Sequence, residues 1–258
     1  MFPFSRSLPT YVAVFLAAIA PFAHSYKYFK EPEGRGLSHY DARYFKRRVS
    51  QDKRAETLSE LIVAFFDIME AEGIVTWLAH GSLLGWYWNG HILPWYLTTL
   101  YNCVDLRDWD LDMQVDVTSL QTLAEEYNYT TWSVIPSNAS PGATPRDYFL
   151  DVNPFWVERV HGDGKNFIDA RFIDTRNGLY IDITALAELD PANIPGVVSC
   201  KNFHHYLLED IYPLRESIFE GAKAKLPYNY KNVVQDEYGQ KALVQANYNG
   251  FVLGVFRN

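Results

Sequence analysis

The 258-residue chain is 48% hydrophobic and 16% aromatic, enough apolar side chain to bury a substantial core in one domain. A formal net charge of -8 with no dense Lys/Arg stripe gives phosphate-backbone binding little support, so no nucleic-acid partner is expected. Cys103 and Cys200 are its two cysteines, which excludes a disulfide framework and a Cys-rich zinc site and leaves at most one bridge between them.

In chain order, Arg6 supplies a positive n-region, Tyr11 to Ala23 is apolar, and Ala23-His24-Ser25 resembles a small-residue cleavage site. Residues 1–25 read as a signal peptide or a short uncleaved anchor; membrane association is expected only in the second case. The apolar run is shorter than the roughly 20 residues of a comfortable span. Entry into the secretory pathway, to the Golgi lumen or the exterior, follows, and there the sequons at Asn128 and Asn138 become usable for N-glycosylation. Residues 26–54, polar and aromatic with clustered charge, read as an extended lead-in, and residues 55–258 as the domain proper.

From Ala55 to Glu72, Leu58, Leu61, Ile62, Phe65, Phe66 and Met69 recur at helical spacing, and Gly73 stands where a left-handed stop belongs. Ile74 to Ala79 predicts a short buried strand, His80-Gly81-Ser82 a turn, and Leu83 to Trp88 a short helix closed by Asn89-Gly90. A strand is expected over Asp110–Val117 and a helix from there to Tyr127. After a Pro/Ser/Gly/Thr-rich loop, strands are expected over Tyr148–Val152, Phe155–Val160, Phe167–Asp174 and Leu179–Ile183, with Thr175-Arg-Asn-Gly178 as a hairpin turn. A last helix is expected from Asn229 to Tyr238.

Asp108-Trp109-Asp110-Leu111-Asp112 reads either as the segment that carries the chemistry or as a solvated acidic edge strand. Side chains two apart on a strand share a face, so three carboxylates stand in a row opposite Trp109, Leu111 and Met113. Aligned like charges repel unless a cation lies between them, and hard oxygen ligands suit Mg²⁺ or Mn²⁺. A helix N-terminus at Gly81-Ser82 presents free N–H groups to phosphate, although an ordinary strand-to-helix turn has the same sequence. His80 and His91 flank that segment, within reach of a phosphate or as hydrogen-bonded structural residues. Asp182 is a lone acid in an apolar strand and needs a cation or a hydrogen-bond network, as a metal ligand or a base. Asp169 and Asp174 flank Arg171 and read as its ion-pair partners, with Asp169 alternatively a further metal or base carboxylate. His204-His205 reads as surface loop, and Lys201, Arg215 and Lys223 are candidate cations for a diphosphate.

These segments, HGSLLGWYWNGHILPW, DWDLDMQV, LDVNP, IDARFIDTRNGLYIDITAL, YPLRESIFEG, PYNY and EYG, resemble the LicD family over roughly residues 38 to 240. That family includes bacterial phosphocholine transferases, fukutin and its relatives, and fungal proteins linked to mannosylphosphate transfer; the motif style is closest to the fungal members. The resemblance implies a single α/β (α+β) domain with a nucleotidyltransferase-like mixed sheet flanked by helices. It implies Gly81 and Ser82, with His80 beside them, at the donor phosphates, Asp108, Asp110 and Asp112 at a Mg²⁺ or Mn²⁺ ion, and Asp110, Asp112 and Asp182 as the catalytic acids. The expected reaction moves a phospho-substituent, such as mannose phosphate or phosphocholine, from a nucleotide-diphosphate donor to a glycan hydroxyl. The alternatives are a non-catalytic regulator of glycan mannosylphosphorylation and a D-x-D glycosyltransferase. One departure stands out: the family runs from Pro-Trp directly into the acids, whereas here Tyr96 to Arg107 intervenes. That segment is either a tolerated loop or hairpin extension, or a retained short intron, and it puts the spacing of turn and acids in question.

Overall fold

The computed structural model describes residues 26–99, 102–107, 111–245, 247–248 and 251–253. The expected signal segment, Asp108 and Asp110 therefore lie outside the described residues. The chain enters through an irregular strap and forms α1 (Gln51–Ala71), β1 (Thr76–Leu78), α2 (His80–Asn89), β2 (Pro94–Thr99), β3 (Asn102–Arg107), β4 (Asp112–Asp116) and α3 (Val117–Glu126). There follow β5 (Thr131–Val134), β6 (Arg146–Val152), β7 (Ala170–Asp174), β8 (Tyr180–Glu188), β9 (Val197–Ser199), β10 (His205–Leu207) and α4 (Leu208–Ile211). The last elements are β11 (Arg215–Phe219), β12 (Ala222–Leu226), α5 (Tyr230–Tyr238), β13 (Asn247–Tyr248) and β14 (Phe251–Leu253).

The fold is mixed α/β, a large mixed sheet flanked by helices. Its main path runs β1-β4-β8-β7-β6-β5, with β9 bridging β8 to β10. All of these neighbours are antiparallel except β4 and β8, which run parallel. Helix α1 begins a turn earlier than its apolar pattern predicts because Ser50 caps it, its side chain accepting from the Lys53 N–H at 3.4 Å. Gly73 follows with φ 72°, as a left-handed exit requires. The helix packs against β7, β8 and β12, setting Phe65 edge-on to Phe172 in a core that also holds Trp77 and Tyr148. Asp116 caps α3 by accepting from the Ser119 N–H at 2.7 Å.

The Thr175–Gly178 turn joins β7 to β8 as the sequence predicts, with Gly178 N–H donating to the Asp174 carbonyl at 2.8 Å. Phe155–Val160 is a correction: it forms turns, not a strand. Asn153 accounts for this, because its Oδ1 accepts from the Phe155 N–H at 3.0 Å and its carbonyl from the Trp156 N–H at 2.9 Å, an Asx turn that ends the extended run. Within Tyr96–Arg107, the backbone folds as the β2–β3 hairpin, and β14 pairs with β2 on its other edge. The segment thus forms a separate small sheet with β13 and β14, while β1 pairs directly with β4. No helix among the described residues is long and apolar enough to cross a membrane.

Candidate functional site

A cavity of about 540 Å³ opens where β4 and β8 meet the start of α2, the entering strap and the end of α5. In the parallel register Asp112 is paired with Asp182, and both line the cavity. Register partners project to the same face of a sheet, so the two carboxylates stand side by side on neighbouring strands. The first turn of α2 is tied to this spot twice. The Asp112 N–H donates to Ser82 Oγ at 3.0 Å, and the Ala79 N–H donates to the Asp112 carbonyl at 3.2 Å. Ser82 is thereby buried, and the cavity wall includes His80 rather than Gly81 or Ser82.

His80 opens α2 with φ 45°, a left-handed conformation uncommon outside glycine and one that marks local strain. Its Nδ1 lies 2.8 Å from Glu237 Oε2 on α5, and Tyr206 donates its hydroxyl to Glu237 Oε1 at 2.6 Å. Burial alone would raise the Glu237 carboxyl, but the bonds from His80 and Tyr206 outweigh it and hold the group below the usual carboxylate range. The His204 ring packs 4.4 Å from that of His80, and its Nδ1 lies 3.3 Å from Cys200 Sγ. Burial, and then the neighbouring His80, push His204 below its ordinary value. Cys200 carries a free thiol that burial pushes up.

Asp182 finds its cation in the protein. Its Oδ1 accepts from Arg171 Nε at 2.7 Å, and Arg171 Nη2 donates to Glu31 Oε1, also at 2.7 Å. The guanidinium lies 3.7 Å from the Tyr180 ring centre and 4.7 Å from that of Phe29. Burial opposes the charge on Arg171, but Asp182, Tyr180 and Glu31 more than restore it.

Arg171 is therefore not paired with Asp169 or Asp174, contrary to the sequence expectation. Asp169 is buried against Arg159 at 2.7 Å and Lys201 at 2.9 Å, and Asp174 is paired with Arg176. Lys201, a candidate diphosphate cation by sequence, is locked in that pair and to the Phe155 carbonyl at 3.0 Å. Arg215 donates to the Tyr228 carbonyl and Lys223 pairs with Glu70, both away from the cavity. His91 lies 3.3 Å from Glu220 and is also outside the cavity, whereas His204, read as surface loop, lines it. Among the sequons, Asn138 is exposed and donates Nδ2 to Ser59, and Asn128 accepts from the Val152 N–H through Oδ1. Asp108 and Asp110 lie outside the described residues, among which no cluster of three or more His, Cys, Asp or Glu is placed to hold a metal.

Sequence reasoning missed Glu31, Tyr206 and Glu237. The signal for Glu237 was present in the EYG motif, but nothing local tied it to His80, 157 residues away.

No protein-family model matches the chain. Over 161 residues, 61% of its length, the chain is 37% identical to mannosyltransferase regulator 4 of Saccharomyces cerevisiae. Over 130 residues, 50% of its length, it is 35% identical to mannosyltransferase regulator 14 of the same organism. Either match spans 12% of the relative's own length. The chain is thus similar in sequence to fungal proteins named for mannosylation.

Proposed function

We propose that this chain forms a metal-dependent phosphotransferase site acting in mannosylation, moving mannose phosphate from a nucleotide-diphosphate donor to a glycan hydroxyl. The observation that carries this reading is the register pair Asp112–Asp182 on the cavity wall, with the first turn of α2 bonded to the backbone of Asp112. The cavity of about 540 Å³ falls within the roughly 300–1,000 Å³ typical of small-molecule sites. An acid strand beside a helix N-terminus is the arrangement a nucleotidyltransferase-type fold uses, and the LicD-like motifs fall on these elements. Asp112 on the cavity wall suits a hard divalent ion: with Asp110, which the motif resemblance adds, it would hold Mg²⁺ or Mn²⁺ through carboxylate oxygens. Such an ion supplies charge neutralisation at the donor diphosphate. Arg171, fixed by Asp182 and Glu31, adds a permanent positive charge to the same cavity.

A second reading, a regulatory domain that binds the donor or glycan without turnover, is favoured by the relatives' names and by Arg171 already neutralising Asp182. The test is calorimetry of the chain with Mn²⁺ and GDP-mannose, with CDP-choline for comparison, followed by product analysis with a mannose oligosaccharide. Metal-dependent binding that disappears in Asp110→Asn and Asp112→Asn, with nucleoside monophosphate released, supports the phosphotransferase. Release of nucleoside diphosphate instead would identify a glycosyltransferase, and binding without product would leave the regulator.

A further inference from the structure

We infer that His80 is the base that takes the proton from the attacking glycan hydroxyl, and that Glu237 is the residue that positions it. This rests on the phosphotransferase reading above and assigns its proton-transfer step. Glu237, ionised and bonded from Tyr206, has only acceptor oxygens to offer. Nδ1 of His80, 2.8 Å away, must then be the donor. In the neutral ring this leaves the bare lone pair on Nε2, the nitrogen remaining for a ligand in the cavity that His80 lines.

The placement is strict. Ala79, just before it, and Ser82, two residues after it, are both bonded to the backbone of Asp112, so this backbone is held beside the acid strand while Glu237 orients the imidazole. The left-handed backbone at His80 is strain retained at that point. Facing it are Glu237, with Tyr206 behind it, and His204, which burial keeps toward the neutral form. Asp182 is the poorer base, since its Oδ1 already accepts a charge-assisted bond from Arg171.

In the step, the acceptor oxygen forms a bond to the phosphorus that bears the mannose, and its proton passes to His80 Nε2. The bond from that phosphorus to the bridging oxygen breaks, and the bridging oxygen leaves on the nucleoside monophosphate with the electron pair. The imidazolium that forms is stabilised by the Glu237 carboxylate.

The deciding variant is His80→Gly, because glycine accepts the left-handed backbone without steric cost. With Mn²⁺, GDP-mannose and a mannose oligosaccharide, kcat should fall roughly 10²–10⁴-fold while calorimetric donor affinity is kept. Added imidazole should restore turnover, which a purely structural role would not permit. His80→Asn, which also tolerates this backbone, should lose kcat without rescue, and Glu237→Gln should lower kcat with KM unchanged. On the metal-free chain, nitrogen-15 NMR should show His80 protonated at Nδ1 and bare at Nε2. A folded His80→Gly that keeps kcat, or a ring protonated at Nε2 alone, overturns the assignment and leaves the phosphotransferase reading standing. A wild-type chain that binds donor but never transfers it overturns both.

Discussion

Arg171→Met tests whether the pairing at the cavity wall is organised as described. The side chain is 4% exposed and donates at 2.7 Å to both Asp182 and Glu31. Removing one partner of a buried ion pair costs about 3–5 kcal/mol, because the remaining carboxylates lose their counter-charge in a poorly solvated place. Methionine retains packing against Tyr180 and Phe29 but loses the cation–π attraction, worth about 0.5–2 kcal/mol. Against this, Arg171 Nη1 is buried without a hydrogen-bond partner among the described residues, and removing that N–H returns about 1–3 kcal/mol. The net loss expected is about 2–4 kcal/mol, or roughly 10 °C in Tm for a chain of this size. Urea unfolding followed by tryptophan fluorescence measures it, and an unchanged m-value would show that the denatured state is not the cause. Arg171→Met/Asp182→Asn should recover part of the loss by removing one stranded carboxylate. A loss below about 1 kcal/mol in the single variant, or no recovery in the double, would refute a buried pair.

Gly85→Ala lies within α2, where helix propensity alone favours alanine by roughly 0.8–1.0 kcal/mol. An added Cβ would stand 2.6 Å from the His91 carbonyl oxygen and 3.2 Å from the Leu93 nitrogen, so a net destabilisation of about 1–3 kcal/mol is expected. A raised urea midpoint would show that α2 does not approach that turn so closely. His204 is held below 6.5 in the fold, so protons favour the unfolded chain as pH falls through 6.5. Its contribution to stability is complete above that value and is lost below it, by less than about 1.4 kcal/mol per pH unit. His204→Gln should flatten the stability–pH curve between 6.5 and 5; a slope parallel to wild type would contradict it. Deleting Tyr96–Arg107 removes the β2–β3 hairpin from β14 but leaves the β1–β4 register untouched. The shorter connection lowers the closure entropy by about 0.6 kcal/mol per halving, so the variant should fold and keep its near-ultraviolet circular dichroism. Loss of that signal would place the hairpin inside the main fold.

Elements whose signal is local were legible in the sequence. The apolar repeat of Leu58, Leu61, Ile62 and Phe65 gives α1, Gly73 gives its stop, and Thr175–Gly178 gives the turn into β8. Phe155–Val160 misled because the aromatic and β-branched run Phe155-Trp156-Val157 reads as a strand, while the Asn153-Pro154 pair before it already commits the backbone to a turn. The ion pairs were opaque for another reason. Arg171 has Asp169 two residues before it and Asp174 three after, yet its partners lie 11 and 140 residues off: alternation turns Asp174 to the other face, Asp169 is held by Arg159 and Lys201, and the sheet brings Asp182 alongside.

Counted along the chain, Tyr96–Arg107 lengthens the separation of Ser82 from the acid strand. In space that separation is irrelevant, because proximity is set by pairing. Leu78 is opposite Met113 across β1–β4, and one residue further on each side the Ala79 N–H reaches the Asp112 carbonyl. Any length of chain that leaves and returns to the start of β4 gives the same juxtaposition, provided its own backbone groups find partners. The β2–β3 hairpin satisfies that condition by pairing with itself and with β14. A spacing rule taken from motif resemblance is thus a proxy for strand register, and where an insertion forms its own hairpin, the register is the quantity that decides whether the turn and the acid meet.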